Sequence, residues 1–378
     1  MKFMHLSDLH LGRRFGEFSL IEDQKYILNQ ITGMANTEKP DAVIIAGDIY
    51  DKSVPVVEAV QLFDDFLCAL VSLGIKVLVI SGNHDSAERV AFGARLMDKR
   101  GVHLSQVYDG FVKPITLYDD FGPVDVYLLP FLRPANVRRF FPDSEIGSYH
   151  QALSKVIGDM ALDASRRNVL ITHQFVTGAV LSESEDITVG TADNVDAAVF
   201  GAFDYVALGH IHRPQYVGRE TVRYCGTPLK YSFSEAKQEK SVSMVELLKK
   251  GDMGIRTLPL APLRDVRELR GTFAELTARA FYQSTGAHDY LHITLTDEDD
   301  VMDAIGKLRV IYPNVVLLDY DNVRTRSNMV LTAIDQIEKS TPLQLFADFY
   351  EKQNGQPMTQ EQHDYVSGLI GEIWGDGK

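Results

Sequence analysis

The sequence predicts an α/β protein with a small α+β unit and C-terminal helices, and three observations predict it. Up to about residue 260, short apolar runs alternate with longer amphipathic ones. The most informative polar residues stand just after the apolar runs, where open α/β sheets place their sites. A Pro-bearing stretch at 258–263 then breaks the rhythm, and a shorter strand–helix alternation follows it.

Strands are expected at 2–7, 42–46, 76–80, 125–129, 168–172, 204–208 and 243–247, each a compact run of apolar residues. Helices are expected at 20–35, 56–73, 87–99 and 148–164, where apolar residues recur at helical spacing. Helices flanking sheets that include parallel strands are the implied arrangement for 1–260, the larger domain. The small α+β domain, 264–320, should hold strands near 264–270, 290–296 and 315–320 and helices near 272–282 and 300–311. A less regular linker, 321–340, leads to a helical tail, 341–378. One tail helix carries Leu343, Phe346, Phe349 and Tyr350, the other Val366, Leu369, Ile370, Ile373 and Trp374. Each set forms an apolar face that either packs on its own chain or binds a partner.

Composition narrows the function classes. The chain has 378 residues, 45% apolar and 24% charged, as in an ordinary globular protein. No apolar run reaches the roughly 18–20 residues needed to span a bilayer. The chain enters a strand at once with no signal-peptide layout, so a cytoplasmic location is expected. Its two cysteines, Cys68 and Cys225, are too few for a thiolate metal site and are expected to be free thiols. The net charge of −14 runs against a self-sufficient DNA binder. Residues 264–378 hold 11 Lys/Arg against 19 Asp/Glu, a local charge of −8, which leaves −6 on the first 263 residues. Several of those acids are candidate metal ligands, and two bound divalent ions would cancel 4 of those 6 charges.

Five segments concentrate metal-capable side chains after strands: Asp8-Leu9-His10, Gly47-Asp48-Ile49-Tyr50-Asp51, Gly82-Asn83-His84-Asp85, Thr172-His173 and Gly209-His210-Ile211-His212. Residues i and i+2 of an extended chain face the same side, which lets Asp8 act with His10 and His210 with His212. Gly47, Gly82 and Gly209 precede the ligands and relieve crowding where the backbone turns. A single Asp-x-His is weak evidence, but five such segments in order are specific. The metal ligand set is Asp8, His10, Asp48, Asn83, His173, His210 and His212. Carboxylate, imidazole and amide oxygen suit manganese, iron or catalytic zinc better than structural zinc. Seven ligands exceed the needs of one ion and suit two that share a carboxylate and clamp the attacking and departing oxygens of a phosphoester.

These segments resemble the five motifs of the calcineurin-like metallophosphoesterases, over about residues 1–260. The resemblance implies a four-layer fold in which a two-sheet sandwich is flanked by helices. It implies that Asp8, His10, Asp48 and His212 hold one metal, and that Asp48, Asn83, His173 and His210 hold the other. Asp48 would then be the bridge. His84 matches the family's non-ligand histidine beside the scissile phosphate, a general acid or charge stabiliser. Asp51 stands where the family commonly has an acid that orients it, and Asp85 is expected to shape the loop. His5, His103, His150, His288, His292 and His363 lie outside the motifs and are read as structural or solvated.

The flanks "HLSDLHLGRRF", "AGDIYDKSVP", "SGNHDS" and "GTPLKYSFSEA" resemble the bacterial SbcD family more narrowly. So do "PLRDVRELRGTFAEL", like the start of its capping domain, and "TPLQLFADFYEKQNG", like a tail segment. What this implies is a manganese-dependent DNA exonuclease and endonuclease, with iron, zinc or magnesium as alternative ions. It would work with the SMC-like ATPase SbcC in DNA end processing, repair, recombination and replication, in the cytoplasm and on the nucleoid. Cleavage would proceed by in-line attack on a phosphodiester with the 3′-oxygen leaving. Family members form homodimers through helices equivalent to 56–73 and 87–99, and Leu62, Phe63, Phe66 and Leu70 give the first an apolar stripe that monomer packing explains equally well. Candidate DNA contacts are Arg13, Arg14, Lys52, Ser53, Arg89, Arg133 and Arg213, with Arg138 and Arg139 nearby. The ATPase would supply most of the nonspecific affinity that the acidic chain lacks. A small-molecule phosphoesterase acting on nucleotides or cyclic nucleotides is the alternative, and a non-catalytic binding module the third class.

Overall fold

The structure is a computed structural model describing residues 1–185, 194–299, 301–323, 325, 343–344, 346–347, 350 and 357–374, with the backbone alone for 371–374. Most of the expected linker, Phe349 of the tail, and the side chains of Ile373 and Trp374 lie outside the described residues.

In chain order the strands begin with β1 (Lys2–Leu6), the hairpin β2 (Arg14–Phe15) and β3 (Phe18–Ser19), β4 (Ala42–Ala46), β5 (Lys76–Ile80) and β6 (Val102–Leu104). Then come β7 (Pro114–Asp119), β8 (Gly122–Leu129), β9 (Arg167–His173), β10 (Tyr205–Gly209), β11 (Gln215–Val217), β12 (Arg219–Tyr224), β13 (Ser241–Leu247) and β14 (Met253–Pro259). One six-stranded sheet runs β14-β13-β1-β4-β5-β6 and the other β11-β12-β10-β9-β8-β7. The inner strands are parallel and β7, β11, β13 and β14 supply antiparallel pairings. Parallel strands covered on both faces read as unbroken apolar runs, and Ala42–Ala46 is buried at every residue.

The sheets pack face to face through alternate residues: Phe3, Ile44 and Leu78 from one, Val126, Ile171 and Ala207 from the other. The opposite face of the first sheet, with Met4, Val43 and Val77, is covered by α1 (Ile21–Glu38) and α2 (Val57–Ser72). On the second sheet, Tyr127, Leu170 and Val206 lie in one cluster with Leu153 and Val156 of Tyr149–Gly158. This is the expected helix–sheet–sheet–helix sandwich.

Helix limits follow local chemistry. α1 begins with Glu22 and Asp23, which suit the positive end of the helix dipole, and ends at Lys39 in the left-handed region before Pro40. Leu62, Phe63, Phe66 and Leu70 of α2 are buried in the monomer core, which accounts for that stripe without a second copy. Burying each such side chain stabilises the fold by roughly 1.5–3 kcal/mol. The expected helix 87–99 is instead two single turns, α3 (Ala87–Val90) and α4 (Ala94–Met97), because Gly93 between them takes φ 73°. α5 (Pro134–Arg138) precedes α6 (Tyr149–Gly158), which has a Ser148/Gln151 capping box and stops six residues short of the expected end.

After β14 the chain forms a separate parallel sheet, β15 (Val266–Gly271), β16 (Tyr290–Leu295) and β17 (Val315–Tyr320), in that spatial order. Short helices α7 (Phe273–Thr277), α8 (Arg279–Tyr282) and α9 (Ala304–Arg309) contribute residues to its own core. The unit is pinned to the sandwich where Arg264 and the Tyr290 hydroxyl both reach buried Asp23, at 3.0 and 2.9 Å. A final helix spans Gln360–Trp374, and among the described residues no helix is long and apolar enough to cross a membrane.

Candidate metal centre

The C-terminal ends of β1, β4 and β5 are neighbours in one sheet, and those of β9 and β10 are neighbours in the other. The Asp8 amide donates to Gly47 O at 3.0 Å and the His10 amide to Asp48 O at 3.0 Å, tying the first two segments side by side. The sheets are then joined across the sandwich: His173 Nδ1 lies 2.8 Å from Ala46 O, and the His210 amide donates to Asp8 at 3.0 Å. Two glycines allow this approach. A Cβ on Gly82 would lie 2.1 Å from Asp48 Oδ1, and one on Gly209 would lie 1.9 Å from Ala46 O. The crowding also shows in the backbone, where Asp8, His10, Asp48 and His210 all adopt positive φ. Strain of that kind in non-glycine residues concentrates where function requires a particular side-chain placement.

All seven expected ligands come together. Asp8, His10 and His212 form one triad with ligand atoms within 4.8 Å of one another, and Asp8, Asp48 and His173 form another. His10 Nε2 lies 3.1 Å from His212 Nε2 and 3.7 Å from Asp48 Oδ2. His173 Nε2 is 3.3 Å from the same Asp48 oxygen. Asn83 Oδ1 is 2.9 Å from both His173 Nε2 and His210 Nδ1. Asp48 Oδ2 thus lies within 4 Å of both His10 and His173, two histidines expected on different ions. The donors are carboxylate, imidazole and amide oxygen with no thiolate, and the residues fit two divalent ions.

The charges at this seam reflect burial and crowding. Burial pushes the Asp8 carboxyl up to about 7. Burial would likewise raise Asp48, but the His173 charge and hydrogen bond outweigh it and hold the carboxyl well below its usual range. Burial alone would lower His173, yet the Asp48 carboxylate raises it to about 9. His210 is brought down to about 3 by burial and by the His173 charge, and burial also lowers His10 and His212. The metal-free seam thus holds exchangeable protons that a divalent ion displaces.

His84 stands beside the cluster, its Nε2 3.9 Å from Asp48 Oδ2 and its ring edge-on to His10. Its Nδ1 lies 3.0 Å from the main-chain carbonyl of Asp51, so Nδ1–H donates there and Nε2 is turned to the cluster. The carboxylate of Asp51 does not orient His84. It pairs with Arg13 at 3.3 Å, so the orienting acceptor is backbone rather than the expected acid. Asp85 shapes the loop by accepting from the amides of Ile49, Tyr50 and Gly82.

Behind His212 lies a buried network that sequence reasoning missed. Ser184 Oγ is 2.6 Å from His212 Nδ1 and donates to Glu235 at 2.5 Å, while Lys240 Nζ reaches Glu235 at 2.6 Å and His212 O at 2.9 Å. Glu185 accepts from the His212 amide at 2.7 Å. Glu235 sits inside "GTPLKYSFSEA", a segment that carried the resemblance, whereas nothing marks Lys240 as buried. Of the candidate DNA contacts, Arg14, Lys52, Ser53, Arg89, Arg133 and Arg213 are exposed, and Arg13 is half-buried over the Tyr231 ring.

The chain matches the calcineurin-like phosphoesterase family over residues 1–214 and the family described as type 5 capsule protein repressor C-terminal domain over 262–354. It is 32% identical over 99% of both chains to a protein from Staphylococcus epidermidis named as the SbcD subunit of the nuclease SbcCD. The identity is also 32%, over the whole of both chains, to the protein of that name from Staphylococcus saprophyticus. Among solved structures, a dimetal phosphatase from Danio rerio aligns with 68% of this chain and 95% of its own at 10% identity and a TM-score of 0.44.

Proposed function

The chain belongs to the SbcD family of calcineurin-like phosphoesterases, and from that premise we propose that it is the catalytic subunit of a two-metal DNA nuclease. The observation that carries the proposal is one oxygen of Asp48 within 4 Å of His10, of His173 and of His84 Nε2. Asp8, His10, Asp48 and His212 hold one ion, and Asp48, Asn83, His173 and His210 the other. Bound divalent ions supply Lewis-acid stabilisation of the phosphoryl oxygens and an activated water. His84, held by the Asp51 carbonyl, gives its Nε2 proton to the departing oxygen. Manganese is the ion we assign, on the donor set and the family resemblance.

The same reading extends to partners. The SMC-like ATPase SbcC docks on the tail, where Tyr365 and Leu369 of the last helix are exposed. Homodimerisation uses the exposed apolar residues Val56, Val57, Phe92 and Leu96 rather than the buried stripe of α2. The small β15–β17 unit caps the catalytic domain, and Arg13, Arg14, Lys52, Ser53, Arg89, Arg133 and Arg213 contact the DNA backbone. The protein works in the cytoplasm, on the nucleoid.

Purified protein with manganese should degrade linear duplex DNA, and Asp48→Ala should abolish the activity. Unchanged degradation by that variant sinks the assignment. A second reading, a phosphoesterase of nucleotides or cyclic nucleotides, draws on the net charge of −14. Hydrolysis of bis(p-nitrophenyl) phosphate that saturating duplex DNA fails to inhibit favours that reading.

A further inference from the structure

We infer that a cavity opening beside Asn83 binds the base of the nucleotide whose phosphate lies at the metal centre. The inference rests on the reading that the site takes nucleic acid or nucleotides. The cavity measures about 480 Å³, and Gly82 and Asn83 line it together with the aromatic residues Tyr108, Phe131 and Phe140. That is the size of a small-ligand pocket. Asn83 joins the cavity to the cluster, since its side chain also contacts His173 and His210. Phe131 is layered on His210 at 6.5 Å and 23° between planes. A flat ring lying against Phe131 is therefore one layer from a ligand histidine.

The lining selects the ligand class. Tyr108 and Phe140 meet edge-on at 5.5 Å and 88°, giving two ring surfaces at right angles. Tyr108 meets the cavity through its ring, since its hydroxyl is closed to solvent. Arg133 and Arg139, both exposed, line the same cavity. Arg139 also lies over the Phe140 ring at 5.7 Å. A free phosphate needs no aromatic walls, and a purely apolar ligand makes no use of the two guanidinium groups. A heteroaromatic base attached to a phosphate uses all of them. A base still stacked in a duplex cannot enter such a cavity, so the nucleotide taken is frayed or single-stranded.

The test is calorimetric binding of 2′-deoxyadenosine 5′-monophosphate and of 2-deoxyribose 5-phosphate to the full manganese-loaded chain. Base stacking of ordinary strength predicts about 5- to 150-fold tighter binding of the nucleotide. Phe131→Ala and Arg139→Ala should each move that ratio toward one. Arg139 is exposed, so Arg139→Ala decides the matter if Phe131→Ala fails to fold. Equal affinity for the two ligands, or a ratio that survives both substitutions, overturns the inference. DNA degradation run in parallel separates the two readings. A base preference without DNA cleavage counts against the nuclease and not the pocket, and cleavage without a base preference counts against the pocket alone.

Discussion

Replacing Glu235 with glutamine should cost the metal-free fold about 3–5 kcal/mol, the usual consequence of leaving a buried charge without its partner. Glu235 is fully buried and Lys240 is 6% exposed. The carboxylate accepts from Lys240 Nζ at 2.6 Å, from Ser184 Oγ at 2.5 Å and from the Tyr231 amide at 3.3 Å. A glutamine keeps one acceptor oxygen and turns an amino group toward either the ammonium or the serine. Lys240 is then left with only neutral acceptors, His212 O and Gln238 Oε1, each at 2.9 Å. Urea unfolding of the metal-free protein at neutral pH reads the loss as a fall in midpoint. The double variant Glu235→Gln/Lys240→Met removes both charges and should recover most of it. Metal affinity should fall about 10- to 100-fold in both variants, because the Ser184–Glu235 pair holds His212 by its Nδ1.

The pH dependence of the same pair has a definite sign. Burial would raise the Glu235 carboxyl, but His212 and Lys240 outweigh it and hold it well below its usual value. A depressed carboxyl stabilises the fold above its unfolded pKa, near 4.3, and loses that contribution as the pH falls toward the folded value. The gap between wild type and Glu235→Gln should therefore stay constant from about pH 6 to 8 and shrink below about pH 4. A single-variant loss under about 1 kcal/mol, or a double variant as unstable as the two singles summed, would refute the reasoning.

Three further outcomes follow from the geometry of the centre. His84→Gln should keep full metal content and lose about 10²–10⁴-fold in turnover, by elemental analysis and steady-state kinetics, and loss of metal instead would make His84 a ligand. Gly209→Ala forces a Cβ to within 1.9 Å of Ala46 O and 2.6 Å of His173 Nδ1, so it should cost roughly 3 kcal/mol or more and empty the centre. Wild-type melting and metal content in that variant would contradict the close approach of the sheets. Metal uptake must displace protons from Asp8, raised to about 7, and His173, raised to about 9, so apparent affinity should climb from pH 6 to 9 and then level. A flat profile in metal titrations across that range would count against both shifts.

Much of this was legible in the sequence, for a physical reason. Parallel strands buried on both faces, such as Ala42–Ala46, must be apolar throughout, so their polar successors stand out as strand-end residues. Shorter antiparallel strands such as Gln215–Val217 carry mixed residues and leave no such contrast. The stripe of Leu62, Phe63, Phe66 and Leu70 announced burial but not against what, and the structure supplies its own first sheet. Gly93 split a region whose apolar spacing read as one helix. At the centre, the sequence could propose Asp51 only by its carboxylate, whereas the contact to His84 is made by its backbone oxygen, which every residue type possesses. Glu235 and Lys240 are charged residues five apart in a polar stretch, a pattern that normally marks a solvated surface.

The central claim is that Asp48 joins two metal sites. Electron paramagnetic resonance of the manganese-titrated chain tests it most directly, with Asp48→Asn as the comparison. The account predicts two ions per chain, magnetically coupled in the wild type and uncoupled or reduced to one in the variant. A wild-type chain that saturates at one ion, or two ions that stay coupled in Asp48→Asn, would contradict it.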